Sequence, residues 1–201
     1  MKLLQSLIFI LSISVAAYAV FIYGFLELGI AVHPAMKKNF QAHSFGIYTH
    51  VFSSMIALLL GPFQFRKSLR IQKPKVHRLI GKIYFLSVLI GSISGFLMSF
   101  YSFGGTISHY GFGTLSILWF VTGIMAYTSI IKGNVANHFK WIFINFALTF
   151  AAVTLRTGLG IGFASGLPFE VFYPYLAWLC WLPNLITALF LLNTKFVRIE
   201  Y

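Results

Sequence analysis

Apolar residues come in six long runs separated by short polar stretches, and inside most runs the few polar residues recur at helical spacing. The runs fall at about 3–26, 44–65, 76–101, 110–131, 138–162 and 171–192. At ~1.5 Å per residue each is long enough to cross ~30 Å of hydrocarbon. The pattern predicts one all-α integral membrane domain over 1–201, a six-transmembrane-helix bundle. The fifth run carries the strongest signal: His138, Asn145, Thr149 and Arg156 stand at i, i+7, i+11 and i+18, which superimposes on one helical face. Lipid solvates neither an arginine nor an asparagine, so that face must turn toward protein, a wet cavity or a ligand.

Three other runs offer matching faces. The second aligns His50, Ser54, Ala57, Gly61 and Gln64; the third aligns His77, Gly81, Tyr84, Gly91 and Gly95; the fourth places Gly113, Ser116 and Tyr127 in register with His109. Small residues let another backbone or a flat ligand approach closely. Helices two to five are therefore expected to form the core, with Asn145, Thr149, Tyr84 and Gln64 as its polar interior and helices one and six packed outside. The first run continues through Phe25 without a polar cleavage region, which favours a spanning helix over a signal peptide. Residues 27–45 read as a loop without a motif, and Pro62, Pro174 and Pro183 as sites of bending.

Composition agrees: 59% of the 201 residues are hydrophobic and 9% charged. The formal charge of +12 comes from fifteen Lys and Arg against Glu27, Glu170 and Glu200. In a soluble chain such basicity would suggest nucleic acid; here the cations lie between apolar runs, so nucleic acid is not expected. The bilayer is the expected partner, with anionic lipid at the basic loop 66–82; nothing names a protein partner. Lys2, the seven cations from Arg66 to Lys82, Lys132, Lys140, Lys195 and Arg198 fall on one side, against Lys37 and Lys38 on the other. That asymmetry predicts a multi-pass membrane protein with both termini cytoplasmic. The lone Cys180 sits in an apolar run, which excludes a disulfide framework and reads as a packed thiol.

The histidines sort into two layers under this topology. His77 and His138 open helices three and five at the cytoplasmic face, whereas His50 and His109 lie in the outer half on helices two and four. A b-type haem needs two neutral imidazoles on facing helices, room for the porphyrin, and cations near its propionates. Gly81, Gly113 and Ser54 would supply the room, Arg78 and Lys140 the inner cations, and Arg156 the outer one. The spacing thus raises His50, His77, His109 and His138 as haem-iron ligands in a transmembrane electron carrier, in enzymatic terms a haem-dependent membrane oxidoreductase. The topology resembles the six-helix, two-haem transmembrane cytochromes of the ascorbate-dependent type, which implies haems between helices two and four and between helices three and five.

A closer resemblance is local. The runs GPFQFRKSLR, HRLIGKIY, GFGTLSILWFVTGIMAY and HFKWIFINFALTFAAVTLR look like the signature of a bacterial membrane-protein family catalogued as domain of unknown function 2306, over roughly His50 to Arg156. The resemblance implies a polytopic membrane protein with His50, His77, Arg78, His138 and Arg156 at characteristic polar positions, and no established activity. His109 matches none of these motifs.

Plainer roles compete with each of these. Interfacial histidines cap helices or bind loop carbonyls, a lone membrane histidine more often makes a structural hydrogen bond than a metal bond, and Arg156 has Glu27 and Glu170 as potential ion-pair partners. A phosphate loop, paired carboxylates, a zinc cluster and a serine triad are all missing. The alternatives to electron transfer are transport of a small molecule, lipid or proton through the bundle, and a non-enzymatic membrane scaffold.

Overall fold

The computed structural model describes residues 2–194; Lys195 and Arg198, counted above among the cytoplasmic charges, lie outside the described residues. Among the described residues the chain is all-α, with six stretches long and apolar enough to span a membrane. The spans are α1 (Lys2–Phe25), α3 (Ser44–Gln64), α5 (Pro74–Ser99), α6 (Gly105–Ile131), the pair α7 (Val135–Thr149) with α8 (Ala151–Ala164), and the pair α9 (Phe169–Leu179) with α10 (Leu182–Asn193). Two short helices, α2 (Pro34–Ala42) and α4 (Lys67–Gln72), cross opposite ends of the bundle. Helix α4 marks the basic end.

The core is a ring in which α5 lies between α3 and α6, α6 packs on α7, and α3 closes back on α7. Helix α1 leans on α3 and α8, while α9 covers α6 and α8 and α10 covers α7. Spans two to five thus form the centre, as the polar faces require. Side chains sort by size in the way lipid demands: Ser53, Ser87, Ser92, Ser94, Ser99, Ser108 and Ser116 are buried, while Leu79, Leu86, Ile93, Ile117, Ile186 and Phe190 are exposed on the outside. In hydrocarbon a large apolar residue gains little by hiding, and small residues bring helices close. Many of the buried hydroxyls return a bond to their own helix, such as Ser87 to Ile83 O at 2.8 Å and Ser94 to Ile90 O at 2.7 Å, so they do not sit unpaired.

Three local features depart from the periodicity. Residues 34–42 fold as helix α2 rather than loop, because Pro34 opens its first turn and His33 Nδ1 accepts from Ala35 N at 3.4 Å. Span four starts at Gly105, so His109 lies inside a helix rather than ahead of one. Span five is interrupted at Phe150, where Val153 N bonds Phe150 O at 2.9 Å in a tightened turn. The Thr149 hydroxyl bonds Asn145 O at 2.9 Å just before the break, a side-chain contact of the kind that bends helices. Span six divides at Cys180 and Trp181, with Pro183 in the first turn of α10.

Candidate functional site

Near the middle of the bundle, polar side chains of three helices satisfy one another. Tyr84 on α5 donates to Asn145 Oδ1 at 2.6 Å, and Asn145 Nδ2 donates to Trp119 O and to Thr122 Oγ1 on α6, both at 2.8 Å. Trp119 Nε1 donates to Thr149 Oγ1 at 2.8 Å, and Tyr84 OH lies 3.0 Å from the same atom. Asn145 is fully buried and the other four nearly so. Both amide protons of Asn145 and its carbonyl are used, so the cluster joins three helices and leaves no group for a ligand.

Beyond this cluster, toward α2, the bundle opens into a cavity of about 270 Å³, with Trp119 and Thr149 in its wall. Its lining is mostly apolar, including Met55, Leu58, Met98, Phe112, Leu115 and Leu155. Helix α1 closes one side with Ala16, Ala19 and Tyr23, and α2 closes the end with Met36, Asn39, Phe40 and His43. Helix α2 is held by the Tyr101 ring stacked on His43 at 3.7 Å and by Asn39 Nδ2 donating to Tyr101 O at 3.0 Å.

His50 and Arg156 both line this cavity. His50 Nδ1 lies 2.8 Å from Gly91 O; a carbonyl only accepts, so Nδ1 carries the proton and Nε2 is left as an acceptor. The imidazole is seated against α5 where Gly95 has no side chain: a Cβ there would sit 2.8 Å from the ring. One turn along α3, Ser54 Oγ is buried without a partner among the described residues and also lines the cavity. Arg156 gives one bond to its own helix, Nη1 to Ala152 O at 2.8 Å, and lies 5.8 Å from the Tyr18 ring. It forms no ion pair among the described residues. Glu27 instead accepts from Gln41 Nε2 at 3.3 Å, and Glu170 is exposed in the first turn of α9.

The remaining sequence candidates lie elsewhere. His109 Nε2 donates to Ser102 O at 3.0 Å and is not among the cavity's lining residues. At the basic end, His138 Nδ1 donates to Ala126 O at 2.9 Å, and His77 has Nδ1 buried without a partner among the described residues. Gln64 Nε2 is likewise buried and unpartnered, with its carbonyl oxygen beside Gly81. Arg78 and Lys140 are exposed, Arg78 Nε reaching Pro74 O at 3.4 Å and Lys140 Nζ lying 5.8 Å from the Trp141 ring. Sequence reasoning missed Tyr23, Asn39, Phe40 and His43 as cavity walls. Polar and aromatic residues at the inward end of α1 and in the segment after it were the available signal.

The family model described as "Predicted membrane protein (DUF2306)" matches residues 47–192, more than half of the chain. The chain belongs to the DUF2306 family. No curated protein and no solved structure matches it. The DUF2306 match takes in His50, the Asn145 cluster and Arg156, whereas the cavity walls from α1 and α2 precede it.

The outer paired-imidazole haem site raised by the spacing does not fit these positions. His50 and His109 do not share the cavity, since His109 is turned to the Ser102 carbonyl. Of the residues expected to give a porphyrin room, Gly81 faces Gln64 and Gly113 faces Ser99, whereas Ser54 lines the cavity. What the site offers chemically is a guanidinium with no ion pair among the described residues, an imidazole acceptor and an apolar chamber.

Proposed function

We propose that this DUF2306 protein is a membrane-embedded binding or carrier protein for an amphipathic molecule with a negatively charged head, held in the cavity beneath α2. The single observation that carries this reading is Arg156, a cation lining an otherwise mostly apolar cavity with no ion pair to a carboxylate among the described residues. An uncompensated charge inside a bundle is expensive, and an anionic ligand offsets that cost while its apolar body replaces empty space against Met55, Leu58, Phe112 and Leu115. At ~30 Å³ per water the cavity of about 270 Å³ has room for about nine waters, enough for a head group and a short stretch of chain.

In this reading the protein lies in the bacterial inner membrane with both ends cytoplasmic, and the cavity is in the outer half. The exposed cations Arg66, Lys67, Lys73, Lys75, Arg78 and Lys82, with no acid among them, support that orientation and a contact with anionic lipid. The test is to extract the full-length protein in mild detergent and identify by native mass spectrometry what travels with it. An anionic amphiphile retained by the wild type and lost in Arg156→Gln is the expected result. A protein that retains no amphiphile and takes up none when supplied defeats the reading. A Soret band diminished in His50→Ala would replace it with electron transfer.

A further inference from the structure

Resting on the reading just given, we infer that the ligand's head is a phosphate monoester on an apolar chain, and that His50 is the residue that selects it. Arg156 alone would accept any anion. His50 narrows the choice because its Nδ1 proton is committed to Gly91 O at 2.8 Å, which leaves Nε2 with a lone pair to be met by a donor. Arg156 and His50 line the same cavity, so one head group can meet both.

A carboxylate or a phosphodiester brings only acceptor oxygens, and would set them against the Nε2 lone pair. A phosphate monoester in its singly ionised form brings both kinds of group: ionised oxygens for the guanidinium and a P–OH proton for the imidazole. Burial favours the singly charged form over the doubly charged one. Ser54 Oγ, buried without a partner among the described residues one turn from His50, supplies a further donor to a phosphate oxygen. The imidazole cannot turn away easily, since its ring is seated against Gly95 and its Nδ1 is bonded to the same helix.

Binding to the full-length protein in detergent is measured by thermal shift and native mass spectrometry with dodecyl phosphate, dodecyl methyl phosphate, dodecanoate and inorganic phosphate. Dodecyl phosphate should bind about tenfold more tightly than either the diester or the carboxylate, the ratio expected for one hydrogen bond to a charged group. His50→Phe should bring that ratio close to one while binding of all three amphiphiles persists; His50→Gln, which restores an acceptor, should recover part of it. Equal affinity of the wild type for the three amphiphiles overturns the selection by His50 and leaves the cavity reading standing. Failure of every amphiphile to bind overturns both, and binding of inorganic phosphate as tight as that of dodecyl phosphate overturns the role of the chain. The wild-type series decides the matter even where a variant fails to fold.

Discussion

Span five carries two polar regions on one face, the Asn145–Thr149 cluster on α7 and Arg156 two turns further on in α8, and they solve the problem of polarity in a membrane differently. Asn145 is neutral, and short polar or aromatic partners on α5 and α6 meet its three hydrogen-bonding functions. The result is a structural fastener between three helices that satisfies itself. Arg156 carries a charge that no hydroxyl or amide cancels, and the nearby helices supply Tyr18, its own backbone and a cavity instead of an acid. The lesson is that a polar face in a membrane helix marks function only where its needs exceed what its neighbours provide.

The largest effect is expected at the closed cluster. Asn145→Ala strips partners from Tyr84 and Thr122 and should cost about 3 kcal/mol, as unpaired buried groups do; unfolding of the detergent-solubilised protein measures it, and a loss below about 1 kcal/mol would show that water replaces the amide. Arg156→Gln should run the opposite way. Without ligand the variant should be about 1–2 kcal/mol more stable than the wild type, because the uncompensated charge is gone, yet it should no longer gain stability from an anionic amphiphile. A destabilised variant would mean that Arg156 has a partner in the folded protein, erasing the contrast with Asn145.

Smaller changes sharpen the boundary between the two regions. Trp119→Phe removes the donor to Thr149 together with the outer part of a ring that packs on Gly91, and should cost about 1–2 kcal/mol. A loss below about 0.5 kcal/mol in the same unfolding measurement would show that neither contact ties α6 to its neighbours. At the mild end, Gly160 in α8 has open space where a Cβ would stand. Gly160→Ala should stabilise the helix by about 0.5 kcal/mol and leave binding unchanged; a drop in affinity would reveal that α8 must flex.

Much of this contrast was legible before any coordinates. The interval of seven, eleven and eighteen residues put His138, Asn145, Thr149 and Arg156 on one face, and the small-residue faces of spans two to four pointed to the helices that would meet it. What periodicity misjudged was the use of the space beside the glycines. A stripe such as Gly81, Gly91 and Gly95 has the same form whether it admits a porphyrin or a side chain, and here Gln64, Trp119 and His50 fill it. The outer histidine pair came apart for a related reason: a helical wheel fixes the face of a residue but not the nearest carbonyl, and the Ser102 carbonyl holds His109 away from the cavity that His50 lines.

Hydropathy and helical spacing were enough for a six-span helical membrane protein whose spans two to five turn polar faces inward, because transfer into lipid acts on each residue according to its chemistry and helical spacing is local. It took the packed fold to show that Tyr84 and Thr122 answer Asn145, that neither Glu27 nor Glu170 pairs with Arg156, and that α1 and α2 complete the cavity around it. Those outcomes depend on which side chains meet across helices far apart in the chain, on distances of a few ångströms that no one-dimensional pattern encodes.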